Sequence, residues 1–338
     1  MKDLPVIAVS LGDPCGVGPE VIVKSFMDPD IKKLANFIVC GPVSILQKAK
    51  ESVGCDCSLQ KITQSGILKG WPIQEKTLWV LDFSVGDLHE ITPGIKSKAG
   101  GIIAGKALES ALELIRSKVA AALVTAPISK ESFNLAGFRF PGHTEFLADR
   151  LSVKEVVMVL MSEQLRVALA TTHCALADVS HLINAEMLVN KLVTVSRDLK
   201  ERLLKKNPRI AVLGLNPHAG ENGLFGREEI DVIRPAIEAA NKKGLNVCGP
   251  YSADTIFSTA TSNAFDLYFA MYHDQGLIPL KMRSFGRAVN YTAGLPVIRT
   301  SPDHGTAFDI AGTGKADAGS MKEAIKVAVK MVTSTRRR

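Results

Sequence analysis

Short runs of apolar, often β-branched residues alternate along the chain with longer amphipathic segments. The short runs are predicted to be strands: Val6–Leu11, Phe37–Cys40, Leu78–Leu81, Ala120–Val124, Val156–Met161, Arg166–Ala170, Arg209–Leu213, Asp266–Met271 and Val297–Ile298. Longer segments such as Gly101–Lys118, Ala185–Lys205 and Glu228–Lys243 are predicted to be helices. Strands that alternate with helices are typical of a largely parallel sheet. The pattern therefore predicts an α/β fold.

Polar residues stand where many of the predicted strands end. Read in order, these strand ends carry Gly12-Asp13, Thr125-Ala126-Pro127, Thr171-Thr172-His173, Asn216-Pro217-His218, Tyr272-His273-Asp274 and Arg299-Thr300-Ser301. In open α/β sheets the ligand binds at the carboxyl ends of the strands, where loops and helix N-termini converge. The pattern therefore predicts a ligand site built from these strand ends.

Length and composition limit the class of protein. A chain of 338 residues exceeds one ordinary core, which predicts two domains with a cleft between them as a natural ligand site. Hydrophobic residues make up 46% and charged residues 22%, and no apolar run approaches the roughly 20 residues that span a bilayer. We therefore expect a globular protein that is not embedded in a membrane.

The N-terminus and the cysteines predict a cytoplasmic location. Residues 1–5 lead straight into the first strand without the long apolar stretch of a signal peptide. The six cysteines show no regular framework, which is typical of reduced thiols. The formal charge of +7 is spread along the chain apart from Arg336-Arg337-Arg338. It suits the steering of a phosphorylated substrate and a dinucleotide better than nucleic-acid binding.

Three histidines directly follow predicted strands, namely His173, His218 and His273. Three neutral imidazoles leave open positions on zinc or a similar divalent ion, as a catalytic metal site requires. The alternative for each is a structural or helix-capping histidine. Cys174 is predicted to be a buried thiol rather than a fourth ligand, because adjacent residues seldom point at one ion.

Two glycine-bearing segments are candidates for binding a nucleotide. The first runs from Gly12 to Glu20 and opens a helix at Pro19, and its glycines allow close approach of backbone to an anion. It lacks the dinucleotide fingerprint spacing, so a tight strand-to-helix turn is the alternative. The second runs from Ser301 to Gly312, and its alternative is a helix capped by Asp303 or Thr306.

Cationic and polar residues for an anionic substrate are available at a few further positions. They are His143, Thr144, Lys281, Asn290 and Arg299. A guanidinium and an ammonium bind phosphate or carboxylate, and the other side chains supply hydrogen bonds.

Taken in order, the motifs resemble those of the 4-hydroxythreonine-4-phosphate dehydrogenase family of pyridoxal phosphate biosynthesis. They are Ser10-Leu11-Gly12-Asp13-Pro14-Cys15-Gly16-Val17-Gly18-Pro19-Glu20, Thr125-Ala126-Pro127-Ile128-Ser129-Lys130, Pro141-Gly142-His143-Thr144-Glu145-Phe146-Leu147-Ala148, Gly214-Leu215-Asn216-Pro217-His218-Ala219-Gly220-Glu221, Ala253-Asp254-Thr255, Tyr272-His273-Asp274-Gln275-Gly276 and the segment from Arg299 to Gly312. The resemblance covers nearly the whole chain.

The resemblance implies a fold and a set of site residues. The fold would consist of two α/β/α domains with a cleft between them, similar to isocitrate and isopropylmalate dehydrogenases, with residues 1–133 and 286–338 on the nucleotide side and 134–285 in a metal and dimerisation domain. The divalent metal (zinc, magnesium or cobalt) would be bound by His173, His218 and His273. His143, Thr144, Lys281, Asn290 and Arg299 would hold the phosphorylated substrate, and NAD or NADP would lie by Gly12, Asp303, His304, Gly305 and Thr306. A homodimer with the active site at the subunit interface is also implied.

The implied reaction is oxidation of 4-phosphohydroxy-L-threonine and loss of carbon dioxide from the β-keto acid, giving 3-amino-2-oxopropyl phosphate. Asp254, Asp274 and Lys281 are candidates for the general base, and Asp274 is also a candidate to orient His273. Cys174-Ala175 and Tyr251-Ser252 depart from the family pattern beside predicted ligands. A dehydrogenase of 4-phospho-D-threonate or 4-phospho-D-erythronate, a metal-dependent hydrolase and a non-catalytic phosphate-ester binding protein are the alternatives.

Overall fold

The computed structural model describes residues 4–63, 77–84, 91–258, 264–284 and 286–336. Its strands are β1 (Val6–Ser10), β2 (Asn36–Cys40), β3 (Ser58–Ile62), β4 (Thr77–Leu81), β5 (Ala122–Thr125), β6 (Val157–Met161), β7 (Arg166–Leu169), β8 (Arg209–Leu213), β9 (Asn246–Tyr251), β10 (Leu267–Ala270), β11 (Val289–Ala293) and β12 (Ile298–Pro302). Its helices are α1 (Gly18–Met27), α2 (Pro29–Lys32), α3 (Val43–Ser52), α4 (Lys98–Arg116), α5 (Lys130–Leu135), α6 (His143–Arg150), α7 (Val179–Leu182), α8 (Ala185–Arg202), α9 (Arg234–Lys242), α10 (Ala253–Ile256), α11 (His273–Ser284) and α12 (Gly319–Arg336).

The described residues form two compact units. Unit 1 contains the residues up to Arg150 and those from Pro296 onward, and unit 2 contains Leu151–Leu295. In unit 1 the strands lie in the order β3-β4-β2-β1-β5-β12, and neighbouring strands are parallel. Helix α4 packs against β1, β2 and β5, while α12 packs against β5 and β12. The sheet of unit 1 is thus the parallel sheet that the alternating pattern predicts.

Unit 2 has a mixed sheet. Its strands lie in the order β11-β6-β7-β10-β8-β9. Strands β7, β10, β8 and β9 are parallel to their neighbours in that series, whereas β6 is antiparallel to both β7 and β11. Helix α8 contacts β6, β11 and α9, and its N-terminus is capped by Asn184, which accepts a hydrogen bond from Met187 N at 2.9 Å. The predicted parallel arrangement therefore holds for only part of unit 2.

The boundary between the units follows Arg150, whereas the sequence placed it after residue 133. An aromatic cluster explains the difference, because Phe133 stacks on Phe138 at 4.4 Å and meets Phe146 edge to face at 5.7 Å between ring centroids. Helices α4 and α5 also touch closely, since a Cβ on Gly101 would lie 1.8 Å from the carbonyl oxygen of Ser132. Residues 130–150 therefore belong with unit 1.

The return to unit 1 comes at Pro296, whereas the sequence placed it at residue 286. Strand β11 explains this difference, because it pairs antiparallel with β6 along its whole length. Together the two shifts place His143 and Thr144 in unit 1 and Asn290 in unit 2.

The predicted helices are confirmed with small changes in their ends. The segment Glu228–Lys243 opens with one wide turn, Glu229–Ile233, before α9 begins. Strands β3, β9 and β11 were not predicted, and β12 extends four residues beyond the predicted Ile298 to Pro302. Among the described residues, no helix combines the length and the apolar character needed to cross a bilayer.

Candidate active site

The three histidines of the predicted metal site lie in unit 2 at the ends of adjacent strands. His173 follows β7, His218 follows β8, and His273 begins α11 shortly after β10. Strand β10 lies between β7 and β8 and is parallel to both. Since carboxyl ends of parallel strands meet at one edge, the topology brings all three histidines to the same edge of the unit 2 sheet.

His173 and His273 form a close pair of imidazoles. Their ring centroids are 5.8 Å apart and the rings are tilted by 41°. A ring centroid lies about 3 Å from a metal ion bound to one of its nitrogens, so two ligands of one ion hold their centroids within about 6 Å. Nδ1 of His273 lies 2.7 Å from Oδ1 of Asp274, which leaves Nε2 as the ligand atom. The pair therefore fits two ligands of one divalent ion.

His218 lies in the turn Pro217–Gly223. Five consecutive residues of this turn, starting with His218, have left-handed backbone with φ between 42° and 81°. The carboxylate of Glu229 supports the turn, because Oε1 accepts hydrogen bonds from the backbone N–H of Leu215 at 2.7 Å and of Asn216 at 2.8 Å. Non-glycine residues in this conformation cost roughly 1–3 kcal/mol each and occur mainly where function requires them.

The ring of His218 contacts other groups than the histidine pair. Its centroid is 6.3 Å from that of Phe225, and it helps to lower the pKa of Asp254, although the hydrogen bond from Ser252 Oγ at 2.5 Å is the larger cause. Within the part of the chain that the structure describes, no three side chains of His, Cys, Asp or Glu are gathered closely enough to hold a metal ion. The structure therefore brings His173 and His273 together, and the metal site of three histidines stays a prediction.

Cys174, next to His173, is exposed, so the prediction of a buried thiol is wrong. The segment after β7 runs over the surface, and each residue from His173 to Asp178 is exposed. A strand ending in Leu169 explains this, because the apolar run ends before the cysteine.

Unit 1 contains a buried cationic cradle, defined by Arg299, Thr125 and His143. Arg299 on β12 is 2% exposed, and its Nε and Nη2 donate hydrogen bonds to Thr125 Oγ1 at 3.1 and 2.7 Å. Burial lowers the pKa of Arg299 to about 10, against the opposing charge of Glu145. The guanidinium therefore stays charged at neutral pH and provides an anion-binding group.

His143, at the start of α6, lies beside this guanidinium. Burial and the charge of Arg299 hold the pKa of His143 well below its ordinary value, against the effect of the Ala126 backbone. The Nε2 atom is shielded from solvent and has no hydrogen-bond partner among the described residues. A neutral imidazole with a nitrogen left unpaired is able to form one more hydrogen bond to a ligand.

The remaining predicted substrate residues are dispersed over several elements. Thr144 follows His143 on α6 in unit 1 and is partly exposed. In unit 2, Lys281 is exposed on α11, and Asn290 lies on β11. The Oδ1 atom of Asn290 is inaccessible to solvent and has no partner in the described residues. It is thus available to accept a hydrogen bond from a ligand.

The two predicted nucleotide segments lie side by side in unit 1. The backbone N–H of Val17 donates to the Thr306 carbonyl at 2.9 Å, and a Cβ on Gly16 would lie 2.7 Å from the same oxygen. Further along, Glu20 accepts hydrogen bonds from the backbone N–H groups of Gly312 and Gly314. Glycine at position 16 is therefore needed for the close contact between the segments.

The capped-helix alternative for the second segment is not what forms. Residues 303–307 are irregular, Ala307 has left-handed backbone, and the next long helix, α12, begins only at Gly319. His304 Nδ1 donates to the Gly305 carbonyl at 2.9 Å, and its shielded Nε2 has no partner among the described residues.

A cavity of about 350 Å³ borders both nucleotide segments. Gly16 and Glu20 line it from the first segment and Gly312 from the second, while Ser44 and Lys48 line it from α3. The cavity thus offers room for part of a nucleotide next to the residues predicted to bind one.

Sequence reasoning missed Thr125 as a site residue. It noted the strand end Thr125-Ala126-Pro127, but nothing in the spacing linked that hydroxyl to Arg299, which lies 174 residues away. The available signal was a polar side chain at the end of the apolar run Ala122–Thr125, every residue of which is buried.

Comparisons with known proteins identify the family of the chain. The model of a family described as pyridoxal phosphate biosynthetic protein PdxA matches residues 33–328. The chain is 45% identical to the 4-hydroxythreonine-4-phosphate dehydrogenase of Trichlorobacter lovleyi over 98% of both chains. It is 42% identical to a putative D-threonate 4-phosphate dehydrogenase of Oceanobacillus iheyensis over 98% of this chain and 99% of that one.

A solved structure shows the same fold. The chain superposes on the 4-hydroxythreonine-4-phosphate dehydrogenase of Klebsiella pneumoniae with a TM-score of 0.88 and 40% identity, covering 97% of this chain and 99% of that one. Fold, site and likeness together define an α/β dehydrogenase. More particularly, the chain belongs to the PdxA family of pyridoxal phosphate biosynthetic proteins.

Proposed function

We propose that the protein oxidises 4-phosphohydroxy-L-threonine with NAD+ or NADP+ to 2-amino-3-oxo-4-phosphooxybutanoate. This β-keto acid then loses carbon dioxide to give 3-amino-2-oxopropyl phosphate in pyridoxal phosphate biosynthesis. The observation that carries the proposal is the charged, buried guanidinium of Arg299 beside His143, because a substrate anion compensates such a charge. The choice of substrate is supported by the name of the Trichlorobacter lovleyi relative, a 4-hydroxythreonine-4-phosphate dehydrogenase.

We infer that His173, His218 and His273 bind a divalent ion, either zinc, magnesium or cobalt. When bound, the ion would lower the pKa of the substrate hydroxyl, and the nicotinamide would accept the hydride. Asp274 holds the ring of His273 through Nδ1, which favours an orienting role over that of general base. Asp254 and Lys281 remain the candidates to take the proton, and the hydrogen bond from Ser252 lowers the pKa of Asp254, which weakens its carboxylate as a base.

Each unit contributes its own substrate residues to the proposal. In unit 1, Arg299 would bind an anionic group of the substrate, with His143 and Thr144 as hydrogen-bonding partners. In unit 2, Lys281 would supply an ammonium group, and the unpaired Oδ1 of Asn290 would accept a hydrogen bond.

The nucleotide would bind in unit 1. Gly12, Asp303, His304, Gly305 and Thr306 are the proposed contacts, and the joined segments with their adjacent cavity support them. Exposed Gly305 has no atom within 4 Å of the position of a Cβ, so the backbone there is open to a ligand.

The second candidate substrate is 4-phospho-D-threonate or 4-phospho-D-erythronate. The name of the Oceanobacillus iheyensis relative favours it, and these acids carry the same phosphate and carboxylate.

The test is reduction of NAD+ and NADP+ by metal-replete protein with each of the three phosphorylated acids. We expect turnover of the L-amino acid and release of carbon dioxide. Turnover of only the D-acids would assign the protein to sugar-acid oxidation. Phosphate release without nucleotide reduction would contradict both dehydrogenase proposals and support a hydrolase.

We also propose a homodimer whose interface includes the active site. Large apolar side chains are exposed on the segments that follow the three histidines in sequence, with Leu176 at 69%, Leu224 at 72% and Met282 at 73% exposure. Ile278 and Phe225 on the same segments are exposed as well, and exposed apolar side chains of this size are candidates for an interaction surface. Sedimentation equilibrium should give the mass of a dimer, and Met282→Lys should shift it toward the monomer. A monomer at all concentrations would exclude the interface.

The cytoplasmic location stays a prediction.

A further inference from the structure

The hydroxyl of Thr125 contacts the guanidinium of Arg299 in a fully buried setting. Its Oγ1 accepts one hydrogen bond from Nε at 3.1 Å and one from Nη2 at 2.7 Å. Thr125 has no exposed surface and Arg299 is 2% exposed. Both bonds end on the same oxygen atom, so they hold the Nε–Nη2 edge of the rigid guanidinium fork against Thr125.

The register of the sheet explains why these two side chains meet. Arg299 on β12 lies opposite Leu123 on β5, and Thr125 is two residues beyond Leu123. Residues two apart on a strand share a face, so Thr125 is the diagonal neighbour of Arg299 on the face that carries the guanidinium. The contact therefore follows from strand pairing rather than from a mobile loop.

The chemistry of the partner matters as much as its place. A hydroxyl accepts hydrogen bonds without bringing a negative charge, whereas a carboxylate at position 125 would neutralise the guanidinium and compete with a bound anion. The residue after Thr125, Ala126, approaches the ring of His143 with its backbone. The last residue of β5 and the next one thus contact two of the unit 1 side chains that would meet the anion, Arg299 and His143.

We propose that Thr125 is a positioning residue that holds the Arg299 guanidinium in the orientation that binds an anionic group of the substrate. The proposal rests on the proposed function, in which Arg299 binds that group. Thr125 does not itself touch the substrate, and it acts through the guanidinium. Its loss would leave the positive charge in place without the acceptor that holds the Nε–Nη2 edge, so that the fork would match the anion less well.

The test uses Thr125→Val, which keeps the shape and removes the acceptor, and Thr125→Ser, which keeps the hydroxyl. We expect the valine variant to raise KM for the phosphorylated substrate about 10- to 100-fold, since hydrogen bonds to charged groups have effects of this size. The serine variant should remain near wild type. Inhibition by inorganic phosphate and by 4-hydroxy-L-threonine, which lacks the phosphate, identifies the anion, because only the group bound by Arg299 should lose affinity.

A double-mutant cycle with Arg299→Met separates positioning from general damage to the fold. If Thr125 acts through Arg299, Thr125→Val should have little further effect on kcat/KM once Arg299 is methionine. If Thr125→Val lowered kcat/KM equally in the wild type and in Arg299→Met, the positioning role of Thr125 would be overturned. A valine variant with wild-type KM beside an impaired Arg299→Met would also overturn that role, but it would leave the role of Arg299 intact. Wild-type binding by Arg299→Met would instead contradict the proposed function.

Discussion

Replacing His173 by alanine should lower kcat by at least about a thousandfold, because the proposed reaction depends on a metal-lowered hydroxyl pKa. The ring of His173 is 5.8 Å from that of His273, and its removal leaves the pair with a single imidazole. His173 is exposed, so the substitution should leave the thermal unfolding temperature nearly unchanged. Metal content after gel filtration and nucleotide reduction with the phosphorylated substrate are the two measurements.

The residue next to His173 provides a matched control. Cys174 is also exposed, and Cys174→Ser should retain both metal and turnover. Asp274→Asn should give an intermediate result, with metal affinity reduced about 10- to 100-fold, since it weakens the group that orients His273. Full metal content and full activity in His173→Ala would contradict the metal site, and loss of metal in Cys174→Ser would point to a sulfur ligand.

Local sequence predicts the position of the histidines at strand ends better than it predicts the full set of strands. Strand-end histidines were found because β7, β8 and β10 are apolar runs that end sharply in polar residues, a pattern that local sequence records. Strand β3 was missed because Ser58–Ile62 is half polar and pairs only with β4 in the strand order of unit 1. Strand β9 was missed because Asn246–Tyr251 includes a Gly-Pro step that normally interrupts a strand.

Distances between remote residues could not be predicted from local pattern. The family resemblance implied that His143 and Arg299 both serve the substrate, yet the contact of Thr125 with Arg299 depends on the register of β5 against β12. The membership of His143 in unit 1 likewise depends on the packing of Phe133, Phe138 and Phe146. The periodicity of a single segment records neither the strand register that joins Thr125 to Arg299 across 174 residues nor the way three nearby aromatic rings pack together.

The sequence also could not show which of the predicted metal ligands lie close together in the fold. His173 and His273 are paired, whereas His218 is held in a left-handed turn and contacts Phe225. The Glu229 carboxylate accepts hydrogen bonds from the two residues 13 and 14 positions earlier, just before this turn, a contact that local sequence does not record. A residue list gives the chemistry of the donor set, and the fold decides how the donors are arranged.

Replacing Arg299 by methionine should raise KM for the phosphorylated substrate by about 100- to 1000-fold, because truncating one partner of a buried charged pair costs roughly 2–5 kcal/mol. The effect on kcat should be smaller, since the residue binds the anion and holds no reacting atom. Arg299 is 2% exposed, and its replacement removes a buried charge but leaves Thr125 Oγ1 without its two donors. The thermal unfolding temperature is therefore measured beside KM, so that loss of substrate binding is separated from loss of stability.

Two further variants show whether charge or shape is responsible. Arg299→Lys keeps the charge but loses the fork that bonds to Thr125, so its KM should lie between wild type and the methionine variant. Arg166→Met removes a partly buried arginine, on β7 in unit 2, whose side chain donates to the Asp266 carbonyl at 3.4 Å, and it should leave KM unchanged. Steady-state kinetics under saturating nucleotide and metal give all three values. A methionine variant with wild-type KM would show that the substrate anion binds elsewhere, and an equal rise in Arg166→Met would show that KM reports loss of stability rather than loss of the cradle.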